Sequence, residues 1–295
     1  MISLDLGQSG ARIRVDGKLY TSARAQRPGG QPMEAIADIF KELPACQSDV
    51  VALSLSGFNG VVRNEVATAQ VCHDVVGARH VAVIDDGLAG YFGAQKGTDG
   101  VTLLIGGGVV SVGSYQGKFA HRDGLGTFFG DEGSGFWIGS RGITRALASR
   151  QGRDVHLDLV RELEPVLAQV DAMNVKNGAE ASRLAITTAK DVLAAADKGI
   201  TAAIAIRDEG AYLLARTVIA SWLGTGAPAN GTPSVIIYGG LSRNVGYKEK
   251  IKEFILKELP NATFAEPQGD NLDGAEWIAG NVKEDNPPLL KWVHF

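Results

Sequence analysis

The sequence predicts an α/β protein of two related domains, each with a mixed β-sheet, facing one another across a cleft. First, a unit of strand, glycine turn, strand, tight turn and strand opens the chain and recurs at residues 101–121. Second, the glycine turn precedes the hairpin turn by ten residues in both copies, Gly7 to Gly17 and Gly107 to Gly117. Third, each copy is followed by alternating helical and apolar strand patterns. Matched spacing of this kind indicates an internal duplication.

Composition excludes several classes of protein. With 45% hydrophobic and 21% charged residues, the 295-residue chain is typical of globular proteins. A net charge of -4 favours neither nucleic acid nor anionic membranes as partners. Two cysteines without a CxxC motif indicate neither a disulfide scaffold nor a zinc site. We find no signal peptide or membrane-spanning run, so we expect a cytoplasmic protein. The 38 glycines, about twice average usage, predict many tight turns.

The first copy begins with apolar alternation in residues 2–6 and 11–15 around "GQSG", and Asp16-Gly17 supplies a two-residue hairpin signal before "KLYTSARA". Strand and helix patterns then alternate. They predict a helix in "MEAIADIFKEL", a strand in "DVVALSLSG", a helix in "EVATAQVCHDVVG", a strand in "HVAVIDD" and a helix in "GLAGYFGAQ".

The second copy has strands in "VTLLIG", "VVSVGSY" and "KFAH". A long helical region over about residues 134–223 follows, then a buried strand in "PSVIIYGG", an amphipathic helix in "KEKIKEFILKEL", a short strand in "ATFAEP" and a last helix in "GAEWIAGNVK". We place the domain boundary near residues 95–100. The domains are then 1–100 and 101–295, with the last helix able to pack back on the first.

Glycine turns between paired strands admit two interpretations. They can be plain hairpin geometry, or their N–H groups can form a nest for an anion. Two equivalent turns on facing domains favour a pair of nests that grip a polyphosphate from both sides. Asp5 precedes the first turn. It can hold Mg²⁺ directly or through water, or it can simply cap the turn.

Three stretches resemble the nucleotide-binding motifs of the sugar kinase/Hsp70/actin superfamily. "DLGQSGARI" resembles its first phosphate motif, "LLIGGG" its second and "VIIYGGLSRN" its adenosine motif. Within the superfamily, "LSLSG", "VIDDGLAG" and "GLGTFFGDEGSGFWIG" resemble the BadF/BadG/BcrA/BcrD family, especially its N-acetylglucosamine kinase branch. The resemblance implies two ribonuclease H-like (actin-like ATPase) domains, ATP with Mg²⁺ as cofactor, and a homodimer.

The resemblance also implies roles for individual residues. Asp86 matches the aspartate that serves as general base, whereas its neighbour Asp85 would face the other way on a strand. A helix cap is the alternative role for Asp86. Asp5, placed just before the first turn, is the candidate ligand of Mg²⁺. The other residues implied in ATP binding are Gly7, Gln8, Ser9, Gly106, Gly107, Gly108, Ser111, Gly239, Gly240, Ser242 and Asn244.

At the sugar end, Asp131 matches the aspartate that binds sugar hydroxyls, and Glu132 lies beside it. Alternatively, these two acids only stabilise the N-terminus of the following helix, but Ser134 can cap that helix without them. Ser56, Gly57 and Gln31 are the remaining sugar-side residues, with Gln31 an uncertain substitute for the asparagine of related kinases. Phe136 and Trp137 fit the core better than a sugar platform.

The chain departs from the family pattern at both phosphate turns. The second commonly reads glycine-threonine-glycine-serine, but here it is Gly106-Gly107-Gly108-Val109, and Ser111 is the nearest hydroxyl that could compensate. The first has Leu6 and Gln8 where glycines are frequent. These changes leave the sugar open and make reduced activity conceivable.

Three functions follow from the resemblance. The first is an ATP- and Mg²⁺-dependent kinase for N-acetylglucosamine or glucosamine. The second is an ATPase activator that passes electrons to an acyl-CoA dehydratase or reductase, which would need an iron–sulfur cluster held by cysteines. Neither Cys46, at a helix end, nor Cys72, within an amphipathic helix, has such a context. The third is a nucleotide- or sugar-sensing regulator with reduced kinase activity.

Overall fold

The computed structural model describes residues 1–7, 10–26, 31–173, 178–286 and 288–295. These residues form two compact units. Unit 1 contains Met1–Thr102 together with Glu266–Phe295, and unit 2 contains Leu103–Ala265. Two predicted ATP-site residues, Gln8 and Ser9, lie outside the described residues.

Unit 1 contains a six-stranded mixed sheet in the order β11-β5-β4-β1-β2-β3. Its strands β1, β4 and β5 are parallel, and the pairs β1–β2, β2–β3 and β5–β11 are antiparallel. The three parallel strands therefore end at one edge of the sheet. The strands are β1 (Ile2–Gly7), β2 (Gly10–Val15), β3 (Lys18–Ser22), β4 (Val50–Leu55), β5 (His80–Asp85) and β11 (Leu290–His294).

Four helices cover the sheet of unit 1: α1 (Pro32–Glu42), α2 (Glu65–Val76), α3 (Asp86–Gln95) and α10 (Asn271–Asn281). Helices α1 and α2 bury alternate apolar residues of β1, β4 and β5 in one core. Helices α3 and α10 pack closely, because Gly93 and Gly274 bring their backbones together. A Cβ on Gly274 would lie 1.7 Å from the carbonyl oxygen of Ala89.

Unit 2 contains a five-stranded sheet in the order β10-β9-β6-β7-β8. Its strands are β6 (Gly100–Ile105), which begins in unit 1, β7 (Val109–Tyr115), β8 (Lys118–Asp123), β9 (Ser234–Tyr238) and β10 (Thr263–Ala265). Its helices are α4 (Gly135–Arg150), α5 (Leu157–Glu162), α6 (Glu164–Ala172), α7 (Gly178–Asp197), α8 (Thr201–Gly224) and α9 (Val245–Glu258), with a 3-10 turn at Leu241–Arg243.

The repeated strand unit of the sequence is confirmed, since β1-β2-β3 and β6-β7-β8 lie in the same order in the two sheets. The single helical region over residues 134–223 is instead divided into α4 to α8. Strand β11 was not predicted, because a five-residue edge strand after two prolines leaves little local signal. Within the described residues, no helix is both long and apolar enough to cross a bilayer.

Candidate functional site

The carboxyl ends of β1, β4 and β5 bring together three candidate residues of unit 1. Gly7 ends β1, Ser56 follows β4, and Asp86 follows β5 as the first residue of α3. The Ser56 hydroxyl donates to Asp86 Oδ2 at 2.6 Å. A Cβ built on Gly7 would lie 3.9 Å from Ser56 Oγ, so the first glycine turn begins beside this pair. Ligands of open α/β sheets bind at such an edge.

The two adjacent acids at the end of β5 have separate roles. Asp85 is 1% exposed, and its carboxylate accepts from the backbone N–H groups of Gly87 and Gly60 at 3.0 and 3.1 Å. It is therefore the residue that caps α3. Asp86 is only partly buried, and its carboxylate meets the Ser56 hydroxyl instead. The capping role considered for Asp86 thus falls to Asp85.

Asp5 lies on β1 with both carboxylate oxygens engaged. Oδ1 accepts from the Ser54 hydroxyl at 2.9 Å, and Oδ2 accepts from Arg12 Nη2 at 2.7 Å. Arg12 is the strand partner of Asp5 on β2, and its Nη1 donates to Asp270, the capping residue of α10. Burial raises the pKa of Asp5 above its ordinary 3.8, and the bonds from Arg12 and Ser54 oppose that rise.

This environment decides how Asp5 fits Mg²⁺. Direct coordination through Oδ2 would bring the metal ion next to the Arg12 guanidinium, a cation that already donates to this oxygen. Each carboxylate oxygen has a second lone pair, so a metal-bound water can still donate to Asp5 with Arg12 in place. The residues therefore fit a magnesium ion held through water while Arg12 stays in place.

The glycine turn at residues 106–108, the second in the chain, lies in unit 2 and is hydrogen-bonded to the start of α4. The carbonyl oxygens of Gly106 and Gly107 accept from the N–H groups of Gly135 and Phe136 at 2.9 and 3.1 Å. These bonds satisfy two of the N–H groups that a helix start leaves unpaired. A Cβ on Gly107 would lie 2.9 Å from Ile186 Cδ1, so threonine at this position would require the isoleucine side chain to move.

Asp131 is attached to the same turn. It is 7% exposed, has φ 57°, and accepts the Val109 N–H at 3.1 Å through Oδ1. A Cβ on Gly108 would lie 2.8 Å from Asp131 Oδ2, so the carboxylate packs directly on the turn. Its pKa is raised from the ordinary 3.8 to about 6, chiefly by burial and also by the nearby charge of Asp123, while the hydrogen bond from the Val109 N–H opposes the rise. Ser134 caps α4, as predicted, and Glu132 is exposed.

The adenosine motif follows β9 in unit 2. Gly239 has φ 105°, and a Cβ there would lie 2.5 Å from the carbonyl oxygen of Ile105, the last residue of β6. The two glycine turns of unit 2 therefore start side by side. A Cβ on Gly240 would meet nothing within 4 Å, which leaves its backbone open to a ligand. The Ser242 hydroxyl donates to the Gly239 carbonyl at 2.9 Å and closes the motif.

Three predicted residues have side chains engaged elsewhere. Ser111 is fully buried and accepts from the Ser221 hydroxyl of α8 at 2.8 Å, so it does not compensate for the missing hydroxyls of the turn. Asn244 caps α9 through Oδ1 and donates from Nδ2 to Asp197 at 2.7 Å. Gln31 precedes α1, is exposed, and accepts from Asn64 at 2.8 Å. Gly57, at φ 90°, has open space where a Cβ would be.

Sequence reasoning missed Arg12 and the bond between Val109 and Asp131. Arg12 could have been found from the hairpin, since pairing Gly7 with Gly10 places residue 12 opposite Asp5. The second contact depends on a long-range turn and has no local signal.

Cys72, the one candidate cluster ligand within a helix, is fully buried, and burial raises the pKa of its thiol to about 12, which disfavours metal binding.

Known proteins resemble this chain over nearly its whole length. The family model for the BadF/BadG/BcrA/BcrD ATPase family matches residues 2–276. No curated protein matches. A proposed N-acetylglucosamine kinase from Chromobacterium violaceum has a similar structure, with a TM-score of 0.68 and 22% identity over 93% of this chain and 96% of that one. A second, from Porphyromonas gingivalis, has a TM-score of 0.63 and 14% identity over 95% and 99%.

A glucokinase of the ROK family from Streptomyces griseus, solved with glucose and AMPPNP, has a TM-score of 0.57 and 16% identity over 95% of this chain and 98% of that one. At such identities the likeness shows a shared fold. The fold of these kinases and the family match over residues 2–276 agree, and the chain therefore belongs to the BadF/BadG/BcrA/BcrD ATPase family and has the actin-like ATPase fold.

Proposed function

We propose that the chain is an ATP-dependent sugar kinase that phosphorylates an amino sugar, N-acetylglucosamine or glucosamine, with Asp86 as general base. The contact between Asp86 and Ser56 carries the proposal. The Asp86 carboxylate lies at the edge of the sheet where ligands bind in open α/β folds, and it already accepts a hydrogen bond from a hydroxyl group at 2.6 Å. A sugar hydroxyl presented to the same carboxylate would be received in the same way.

In the proposed reaction, the sugar hydroxyl gives its proton to the Asp86 carboxylate while its oxygen forms a bond to the γ-phosphorus. The bond from that phosphorus to the β,γ-bridging oxygen breaks, and ADP leaves with the electron pair. A positioned base contributes about 10²–10⁴ in rate. Alignment of the reactants and stabilisation of charge supply the rest.

The glycine turns serve the nucleotide in this proposal. Gly7 in unit 1 and Gly107 and Gly108 in unit 2 would offer backbone N–H groups to phosphates. The Gly106 N–H already donates to the Gly108 carbonyl at 2.9 Å and would hold the shape of the turn. Gly239 and Gly240 would let the ribose and base lie against the backbone. Mg²⁺, held through water by Asp5, would offset phosphate charge when bound. Arg12 and Ser54 would keep the Asp5 carboxylate oriented, because they engage one lone pair on each oxygen.

Asp131 would orient the sugar from unit 2. Its Oδ1 is held by Val109, which fixes the carboxylate while Oδ2 retains lone pairs for sugar hydroxyls. Because the pKa of Asp131 is about 6, the group is ionised and accepts hydrogen bonds at neutral pH. Glu132, Ser56 and Gly57 complete the proposed sugar-side set.

A coupled assay of ADP release with a panel of hexoses and hexosamines tests the proposal. We expect turnover with N-acetylglucosamine or glucosamine to exceed turnover with glucose and mannose. Calorimetry on the same protein measures ATP binding separately from sugar phosphorylation. If ATP binds and no sugar is phosphorylated, the kinase proposal fails and the sensing regulator becomes the better description.

A further inference from the structure

Two histidines of unit 1 face one another on the edge of its sheet. In the antiparallel pair of β5 and β11, His80 is the strand partner of His294. Their Nδ1 atoms lie 2.9 Å apart, with the ring centroids at 5.1 Å and the ring planes at 67°. This pair is separate from the residues assigned to nucleotide and sugar.

Either a proton or a metal ion can lie between the two imidazole rings. A neutral imidazole has one N–H and one bare nitrogen, so a proton can sit between the two Nδ1 atoms. When that proton leaves, two unprotonated nitrogens remain 2.9 Å apart. If each metal–nitrogen bond is about 2.05 Å, a nitrogen–metal–nitrogen angle of 90° places the two nitrogens about 2.9 Å apart. The tetrahedral angle places them about 3.3 Å apart. The observed spacing therefore fits adjacent corners of a tetragonal site, the geometry of Cu²⁺ and Ni²⁺.

The two acids near the pair are engaged in ion pairs. Asp49 lies near His80 but is ion-paired with Arg79, and Asp285 lies near His294 but is ion-paired with Lys291 at 3.1 Å. Among the described residues, no group of three or more His, Cys, Asp or Glu side chains could hold a metal. Water must fill the other positions, which favours metals with high intrinsic affinity for imidazole over Mg²⁺.

We propose that His80 and His294 form a two-histidine site for a divalent transition metal, Cu²⁺ or Ni²⁺, that fastens β11 to β5. The consequence is local. Strand β11 is the edge of the sheet, and its Leu290 is buried while its Val293 packs on the core. A metal bridge at residue 294 would hold the far end of this strand in register.

Tryptophan fluorescence tests the site, because the Trp292 ring stacks on His294 with centroids 6.0 Å apart and planes at 7°. Protein without an added polyhistidine segment is titrated with CuCl₂, NiCl₂ and MgCl₂. We expect saturable quenching and a rise in Tm with copper and nickel, and neither effect with magnesium. Trp292→Phe should remove most of the quenching, although three other tryptophans remain.

Ligand variants decide the assignment. His80→Gln and His294→Gln should each weaken copper and nickel binding by at least about tenfold, since even outer-shell changes cost about 10–100-fold. His121→Gln, on β8 of unit 2, is the matched control and should bind as the parent does. Equal affinity in all three variants would overturn the proposal. Should the ligand variants fail to fold, the Cu²⁺ electron paramagnetic resonance spectrum of the parent still decides, because coupling to fewer than two nitrogens contradicts the site.

Discussion

Replacing Asp131 by asparagine should stabilise the protein at neutral pH and weaken its proposed activity. Asparagine keeps an oxygen to accept the Val109 N–H and has nearly the same shape. It also tolerates the left-handed backbone at φ 57° as well as any residue other than glycine. What it removes is the cost of a buried negative charge packed against Gly108.

The magnitude follows from the pKa. A rise from the ordinary 3.8 to about 6 corresponds to about 3 kcal/mol at 1.36 kcal/mol for each pH unit. Because the folded-state pKa is the higher one, the folded protein holds the proton between pH 3.8 and about 6, and stability from this group is lost as pH rises through that window. The asparagine variant should therefore be more stable by about 1–3 kcal/mol at pH 8, by about half as much at pH 5, and by little near pH 4.

Urea unfolding of both proteins at pH 4, 5, 6, 7 and 8 measures this difference. Asp131→Ala is the control, since it also removes the charge but leaves the Val109 N–H without its acceptor, at a cost of about 1–3 kcal/mol. It should be less stable than the asparagine variant at every pH. An asparagine variant less stable than the parent at pH 8, or a difference that is constant from pH 5 to 8, would refute the reasoning.

Three further substitutions test the fold and the phosphate turns. Gly107→Thr should cost about 1 kcal/mol because its Cβ meets a half-exposed isoleucine, and adding Ile186→Ala should recover that loss in the same urea assay. Gly274→Ala should cost at least about 3 kcal/mol, since its Cβ would enter the backbone of α3, whereas Gly280→Ala on the same helix meets nothing and should be neutral or stabilising in thermal unfolding. Arg12→Gln should destabilise by about 1–3 kcal/mol at neutral pH, with a smaller loss in acid, because it leaves a buried carboxylate of β1 without its cation; a pH-independent loss in urea unfolding would contradict this.

The sequence predicted the duplicated strand unit because hairpin turns and alternation are local signals. The matched spacing from Gly7 to Gly17 and from Gly107 to Gly117 was sufficient to place both β-meanders. Helix starts with strong caps were also predictable, as at Ser134. The sequence allowed the last helix to pack back on the first domain, but its contact with α3 was not accessible, because that contact depends on two glycines distant in sequence, Gly93 and Gly274.

The sequence proposed the acids and glycines of the candidate site and missed the contacts that support them. Asp5, Asp86 and Asp131 were proposed from their motifs, but a motif does not report what a side chain contacts. Ser111 illustrates the limit: it follows the glycine turn in sequence, yet the pleat of β7 directs it into α8.

The most direct test of the proposed function is the rate of sugar phosphorylation by Asp86→Asn, measured beside its affinity for ATP. Loss of the base should lower kcat by about 10²–10⁴ and leave the Kd for ATP within about threefold of the parent. Asp74→Asn, an acid on the exposed face of α2 in the same unit, should match the parent in both measurements. If Asp86→Asn phosphorylates the sugar at the parent rate, Asp86 is not the base and the account of the site is wrong.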